Sequence, residues 1–160
     1  MRPTPQLMRR IICCAGVTVL LLACARQKPT TNFIVLESNS PAVSNNGTLV
    51  QNIGIETIGG VVTPLLKTGC VVPCRDAELF STAQDNQRKF QVTLYRGNDR
   101  LVSNNSLVAR CYVVDIPPAP RGTPKIEVTF EVAEKEVRIQ ALDKTSKKFF
   151  AIQCDAKPSA

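Results

Sequence analysis

Apolar and polar residues alternate through much of the second half of this chain. Ile126, Val128, Phe130 and Val132 are interleaved with Lys125, Glu127, Thr129 and Glu131. Phe90, Val92 and Leu94 are interleaved with Gln91, Thr93 and Tyr95. A period of two puts the apolar set on one face of a strand and the polar set on the other, as in half-buried antiparallel sheet. Gly97-Asn98-Asp99 and Asp143-Lys144-Thr145-Ser146-Lys147 supply turn residues between such runs. Ile116 to Pro124 holds Pro117, Pro118, Pro120 and Pro124. It reads as a loop, because proline cannot donate to a sheet ladder. Strands are predicted near 53–58, 61–66, 70–73, 89–96, 107–113, 125–132, 137–142 and 148–153. No helical pattern of useful length follows the N-terminal region. The fold class is therefore all-β, a two-sheet antiparallel β-sandwich of seven or eight short strands.

The N-terminus has a different character. Met1 to Arg10 is polar and basic, and Ile11 to Leu22 is an unbroken apolar run. Twelve residues rise about 18 Å as a helix, short of a bilayer core of about 30 Å. That is the shape of a secretory signal over 1–23. The run ends Leu21-Leu22-Ala23-Cys24, which resembles the lipobox of bacterial lipoproteins. The resemblance implies diacylglycerol on the Cys24 thiol and cleavage before it. The other reading is an uncleaved signal anchor, and both place the domain outside the cytoplasm. A lipid anchor puts the protein at the bacterial cell envelope. With Ala25 rather than an acid after the cysteine, the periplasm-facing outer membrane is favoured. Residues 24–47, rich in Ser, Asn, Thr and Pro, read as a lipidated flexible tether. Phe33-Ile34-Val35-Leu36 interrupts the tether and reads as an edge strand or an anchor laid on the domain. The domain itself is set at 48–156, with 157–160 as a tail.

Composition narrows the chemistry. The 160 residues contain no histidine, which excludes Ser-His-Asp and Cys-His catalysis. Asp85 and Asp115 read as turn residues rather than catalytic acids, so no enzyme is expected. The net charge of +7 includes Arg2, Arg9 and Arg10 of the leader, leaving +4 for the rest. No basic stripe interleaved with aromatics is present, so nucleic acid is not an expected partner.

Three segments carry the strongest signal. They are Ile53-Gly54-Ile55-Glu56-Thr57-Ile58-Gly59-Gly60, Phe80-Ser81-Thr82-Ala83-Gln84-Asp85-Asn86-Gln87, and Pro118-Ala119-Pro120-Arg121-Gly122-Thr123-Pro124-Lys125-Ile126-Glu127-Val128-Thr129-Phe130. In order and at near-matching spacing, they closely resemble the substrate-binding β domain of the seventy-kilodalton heat-shock chaperone family, the DnaK-like proteins of bacteria. The resemblance implies a channel between loops that holds an extended peptide by its main chain, with one deep pocket for a Leu-like side chain. That is binding by strand addition: the backbone gives affinity and the pocket gives preference.

The resemblance places Ile55, Thr57, Val61, Phe80, Phe90, Val92 and Ile126 around that pocket. It gives backbone contacts to Ile58, Ser81, Ala83 and Gln87, with Ile58 and Ala83 forming an arch over the peptide. Periodicity alone reads Ile55, Val61, Val92 and Ile126 as core. Phe90 departs from the family, which has a small β-branched residue there, and its ring is expected to fill part of the pocket. Arg121 matches a position that ties down the family's helical lid; a solvated loop charge is the reading preferred for it. The 160 residues show no glycine-rich phosphate loop and no lid, so neither nucleotide coupling nor any cofactor is expected.

Seven cysteines are present. Cys13 and Cys14 lie in the leader, and Cys24 is the lipidation candidate. Cys70, Cys74, Cys111 and Cys154 remain, and four cysteines allow three pairings. One or two disulfides are expected in an oxidising compartment. Were 70–74 extended, Cys70 and Cys74 would lie about 13 Å apart, too far to bridge, whereas a loop would permit it. A four-cysteine zinc site is the alternative, against which stands the absence of Cys-x-x-Cys spacing; no metal is expected.

The function expected is that of a membrane-anchored, chaperone-like module binding unfolded or extended polypeptide without its own ATPase. The alternative is a structural or protein-interaction module that kept the sandwich and lost the peptide groove.

Overall fold

A computed structural model describes residues 33–36, 43–133 and 136–155. All of these belong to one compact unit, Asn32–Ala160. The leader 1–23, Cys24 and the 157–160 tail lie outside the described residues, as does most of the stretch read as a tether.

Among the described residues, nine strands form two antiparallel sheets. They are β1 (Ile34–Leu36), β2 (Ile53–Thr57), β3 (Val61–Leu66), β4 (Cys74–Phe80), β5 (Phe90–Arg96), β6 (Ser106–Val113), β7 (Ile126–Ala133), β8 (Glu136–Asp143) and β9 (Ile152–Asp155). The four-stranded sheet runs β1-β8-β7-β4 and the five-stranded sheet runs β3-β2-β5-β6-β9. A single 3-10 turn, Val102–Asn104, is the one helical element among the described residues. The all-β sandwich expected from the alternation is the fold observed.

The period-two pattern locates the core. Ile126, Val128, Phe130 and Val132 of β7 are fully buried, as are Leu94 of β5, Cys111 and Val113 of β6, and Ile139 of β8. The inner faces of the two sheets meet through these side chains. Thr93 and Thr129, on the polar faces of central strands, are also buried. Gln91 covers Thr93 by donating from Nε2 to its Oγ1 at 2.8 Å.

Three elements differ from the sequence expectation. Residues 70–73 are not a strand. Gly69 adopts a φ of +89°, the amide of Cys70 donates to the carbonyl of Lys67 at 3.1 Å, and the chain turns so that Cys70 and Cys74 form a disulfide with Cα atoms 6.3 Å apart. The strand begins only at Cys74 and runs to Phe80, through a segment for which no strand was predicted. The last strand is shorter and later than 148–153, because Lys144–Ser146 turn and Phe149 makes only an isolated bridge to Leu142. The second disulfide joins Cys111 of β6 to Cys154 of β9, directly opposite each other in register. With all four sulfurs paired, the zinc alternative lapses.

Two pieces of the 24–47 stretch pack on the sandwich. Ile34–Leu36 pairs with Val137–Ile139 of β8 as an edge strand and buries Leu36. Val43 bridges to Leu49 across a tight turn, and Leu49 enters the core.

Candidate functional site: the loop end of the sandwich

Strand register gathers three connections at one end of the molecule. Ile55 of β2 lies opposite Leu94 of β5, and Phe90 lies opposite Val113 of β6. Phe80 of β4 lies opposite Ile126 of β7. The 57–61 turn, the 81–89 loop and the 114–125 loop therefore share that end.

The 57–61 turn is tight. Gly59 and Gly60 take φ values of +88° and +68°, a region that costs a side chain but not glycine. The Thr57 hydroxyl donates to the carbonyl of Val61 at 3.1 Å and closes the turn. Between them Ile58 is 100% exposed. The turn is buttressed from the β3 side. Val62 donates to the carbonyl of Arg100 at 2.8 Å and Val102 donates to the carbonyl of Gly60 at 3.0 Å. The buttress is itself fixed by Asp99, whose Oδ1 accepts the Leu101 amide at 2.8 Å. That hydrogen bond holds the Asp99 carboxyl below the usual carboxylate range.

The 81–89 loop is organised by Gln87. Its Oε1 accepts the amides of Ala83 at 2.8 Å and Gln84 at 3.2 Å, and its Nε2 donates to the carbonyl of Lys89 at 2.7 Å. The loop is fastened to the proline-rich connection at four points. The Ser81 hydroxyl donates to the carbonyl of Pro124 at 2.7 Å. Gly122 donates to the carbonyl of Thr82 at 2.9 Å, and Asn86 to that of Ala119 at 2.8 Å. The carboxylate of Asp85 accepts the Arg121 amide at 2.8 Å. Asp85 thus works as a loop clasp, a role its sequence position as a turn residue only partly foretold. Arg121 is exposed.

Beneath the loops, Phe80 and Phe90 stack with ring centroids 5.4 Å apart and planes 18° apart. One ring comes from each sheet, and both pack against the core. Ile55, Val92 and Ile126 are 7%, 3% and 0% exposed and belong to that core. Of the residues assigned to a guest pocket, these three are covered in this structure. Thr57 is exposed, and Val61, Phe80 and Phe90 are half-buried. Ile58, Ser81 and Ala83 are exposed and Gln87 half-buried. Thr57, Ile58, Ser81 and Ala83 are thus accessible at the surface, while the aromatic pair lies half-buried over the core beneath them.

A separate apolar cleft of about 360 Å³ is lined by Val43, Gly47, Val72, Pro73, Ala133 and Arg138. Cys74 pairs with Val132, so this cleft lies at the end of the four-stranded sheet away from the aromatic stack. Nothing in the sequence patterning pointed to it.

The Hsp70 protein family model matches residues 48–159. A chaperone protein DnaK of Psychrobacter cryohalolentis is 40% identical over 105 residues, which is 65% of this chain and 16% of that DnaK. The chain thus spans a small part of the length of that curated relative. The match takes in all three motif segments, the glycine turn, the Gln87-organised loop and the proline-rich connection. The chain belongs to the Hsp70 family and carries a DnaK-like domain of it.

Proposed function

We propose that this domain binds extended, apolar polypeptide segments at the loop end of the sandwich, as a chaperone-like module. One observation carries the reading: Ile58 stands wholly in water at the tip of a turn held rigid on both sides. An isolated exposed apolar side chain is ordinary. One presented on a braced glycine turn, at the same end as an amide-bearing loop fixed by Gln87, suits capture of an apolar chain. Family membership supports the same conclusion. Main-chain hydrogen bonds and one buried leucine, the latter worth about 2 to 3 kcal/mol, give affinities in the micromolar range.

The proposal extends to anchoring and coupling. Leu21-Leu22-Ala23-Cys24 supports lipidation at Cys24 and a place at the bacterial cell envelope, with the outer membrane favoured. Binding that does not respond to ATP is part of the proposal, and peptide titration with and without ATP tests it.

A second reading rests on the Phe80–Phe90 stack. With the floor closed by its own rings, the domain is an interaction module that keeps the sandwich without a guest pocket. Fluorescence anisotropy of a labelled Leu-centred heptapeptide, titrated with the full chain with and without ATP, separates the two. Micromolar binding indifferent to ATP supports the first reading. No binding by the wild type at any concentration supports the second.

A further inference from the structure

Among the described residues, the sandwich leaves one long strand edge open. The outer edge of β3 is covered by the 97–105 connection, through the Val62 amide and the Val61–Leu101 bridge. The other edge strands, β1 and β9, have three and four residues. β4 has seven, pairs with β7 in unbroken register, and has no neighbour on its other side among the described residues. Arg75 to Leu79 are all exposed. Every second backbone N–H and C=O of such a strand faces away from its partner, where another chain can pair with it. Within β4 the Ala77 amide donates to Oδ1 of Asp76 at 2.8 Å, so an incoming strand that pairs with this amide displaces that carboxylate and frees it for a cation.

The side chains decide what that chain can be. Asp76 and Glu78 share a face with Cys74 and Phe80, two residues apart, and neither forms an ion pair among the described residues. Arg75, Ala77 and Leu79 lie on the other face, with Leu79 60% exposed. A second copy of β4 is a poor partner. Antiparallel self-pairing centred on Ala77 sets Asp76 opposite Glu78 twice, and centring on Asp76 or Glu78 sets that acid opposite itself. Like charges directly opposite destabilise a pair. An extended segment whose cations alternate with apolar residues meets both requirements. Its cations face Asp76 and Glu78, and its apolar side chains cover Ala77 and Leu79.

We propose that the β4 edge is a second polypeptide-binding surface, which takes an extended segment of alternating basic and apolar residues by strand addition. It is independent of the loop end: it uses no residue of the 57–61 turn or the 81–89 loop, and it holds whether or not the Phe80–Phe90 pair closes the guest pocket.

The test uses hydrogen–deuterium exchange of the full chain, read on fragments covering Cys74–Phe80, with a blocked Lys-Val octapeptide repeat as probe and a Glu-Val repeat as control. The Lys-Val probe slows exchange in β4 and the Glu-Val repeat does not. Protection persists when a neutral Leu-centred heptapeptide is present in excess. D76N/E78Q weakens the probe about tenfold, the loss of two cross-strand ion pairs. Raising salt from about 0.05 to 0.3 M weakens the wild-type interaction in the same direction, a check that needs no variant. Equal protection by both repeats, displacement by the heptapeptide, undiminished binding by the variant, or β4 protection that rises with chain concentration alone would each overturn the proposal.

Discussion

The ring of Phe80, at the end of β4, lies on the ring of Phe90, at the start of β5, with centroids 5.4 Å apart. The two strands belong to different sheets, so the stack clamps the loop end of the sandwich. Under the proposed function it also stands where a guest side chain would enter. Near-parallel rings at this distance contribute about 0.5–1.5 kcal/mol beyond the area they bury.

Replacing Phe90 by valine removes the ring and opens that space. Phe90→Val is expected to destabilise the domain by about 2 kcal/mol in urea unfolding, since a half-buried ring is lost. It is also expected to bind a Leu-centred heptapeptide at least about tenfold more tightly in anisotropy, as about 1.4 kcal/mol of leucine burial is recovered. Unchanged affinity with the expected loss of stability would show that the ring does not occupy the guest pocket.

Gln87 holds two amides of its loop with one carbonyl oxygen. Gln87→Ala is expected to speed exchange at Ala83 and Gln84 and to weaken peptide binding several-fold. Global stability should fall by less than about 1 kcal/mol, because the loop is exposed and its amides pass to water. A loss of fold would assign Gln87 to stability instead of to the site.

The two disulfides close loops of very different length. Cys111–Cys154 joins residues 43 apart, and Cys70–Cys74 joins residues 4 apart. On chain-entropy grounds the first restrains the unfolded state by about 4 kcal/mol and the second by about 2 kcal/mol. Paired serine variants, unfolded in urea under oxidising conditions, should follow that order. The reverse order would point to native-state contacts around the 70–74 turn as the larger contribution.

Asp143 closes the turn after β8. Its carboxylate accepts the Ser146 hydroxyl at 2.7 Å and the Thr145 amide at 2.8 Å. The Ser146 hydrogen bond chiefly holds the carboxyl below its ordinary value. The folded state therefore binds this proton more weakly than the unfolded chain. Its contribution to stability is whole above the unfolded carboxylate value of about 4 and is lost as pH falls through the lower folded value. Asp143→Asn should flatten that part of the acid limb of the stability–pH curve by lowering stability at neutral pH, the two proteins converging in acid where Asp143 is protonated. An acid limb identical in both proteins would contradict this.

The sandwich was legible because the large apolar residues of β5 and β7 line the core face at every second position, with polar residues between them. β7 alternates strictly, and all four of its apolar residues from Ile126 to Val132 are fully buried. β4 was not legible: Cys74-Arg75-Asp76-Ala77-Glu78-Leu79-Phe80 stands at an edge with its middle five residues exposed, so no alternation was imposed on it. β1 was legible as an edge strand or anchor from the apolar run Phe33–Leu36 and not from a period, for which three residues are too few. The 70–74 disulfide depends on a turn that residue spacing alone does not specify. At the site, sequence patterning cannot separate a pocket wall from a core residue, because both are apolar and both recur at every second position. Ile55, Val92 and Ile126 lie in the core, and Phe80 and Phe90 lie over it. The loop fastenings, such as Asp85 to the Arg121 amide across 36 residues, join segments that only the folded chain brings together.

The most direct measurement is amide exchange of the full chain with and without saturating Leu-centred heptapeptide, resolved at Ile58 and across Ser81–Gln87. Binding of an extended guest by its main chain at the loop end predicts slowed exchange at both places, with β9 unaffected. Unchanged exchange there, in the wild type and in Phe90→Val alike, would contradict the account.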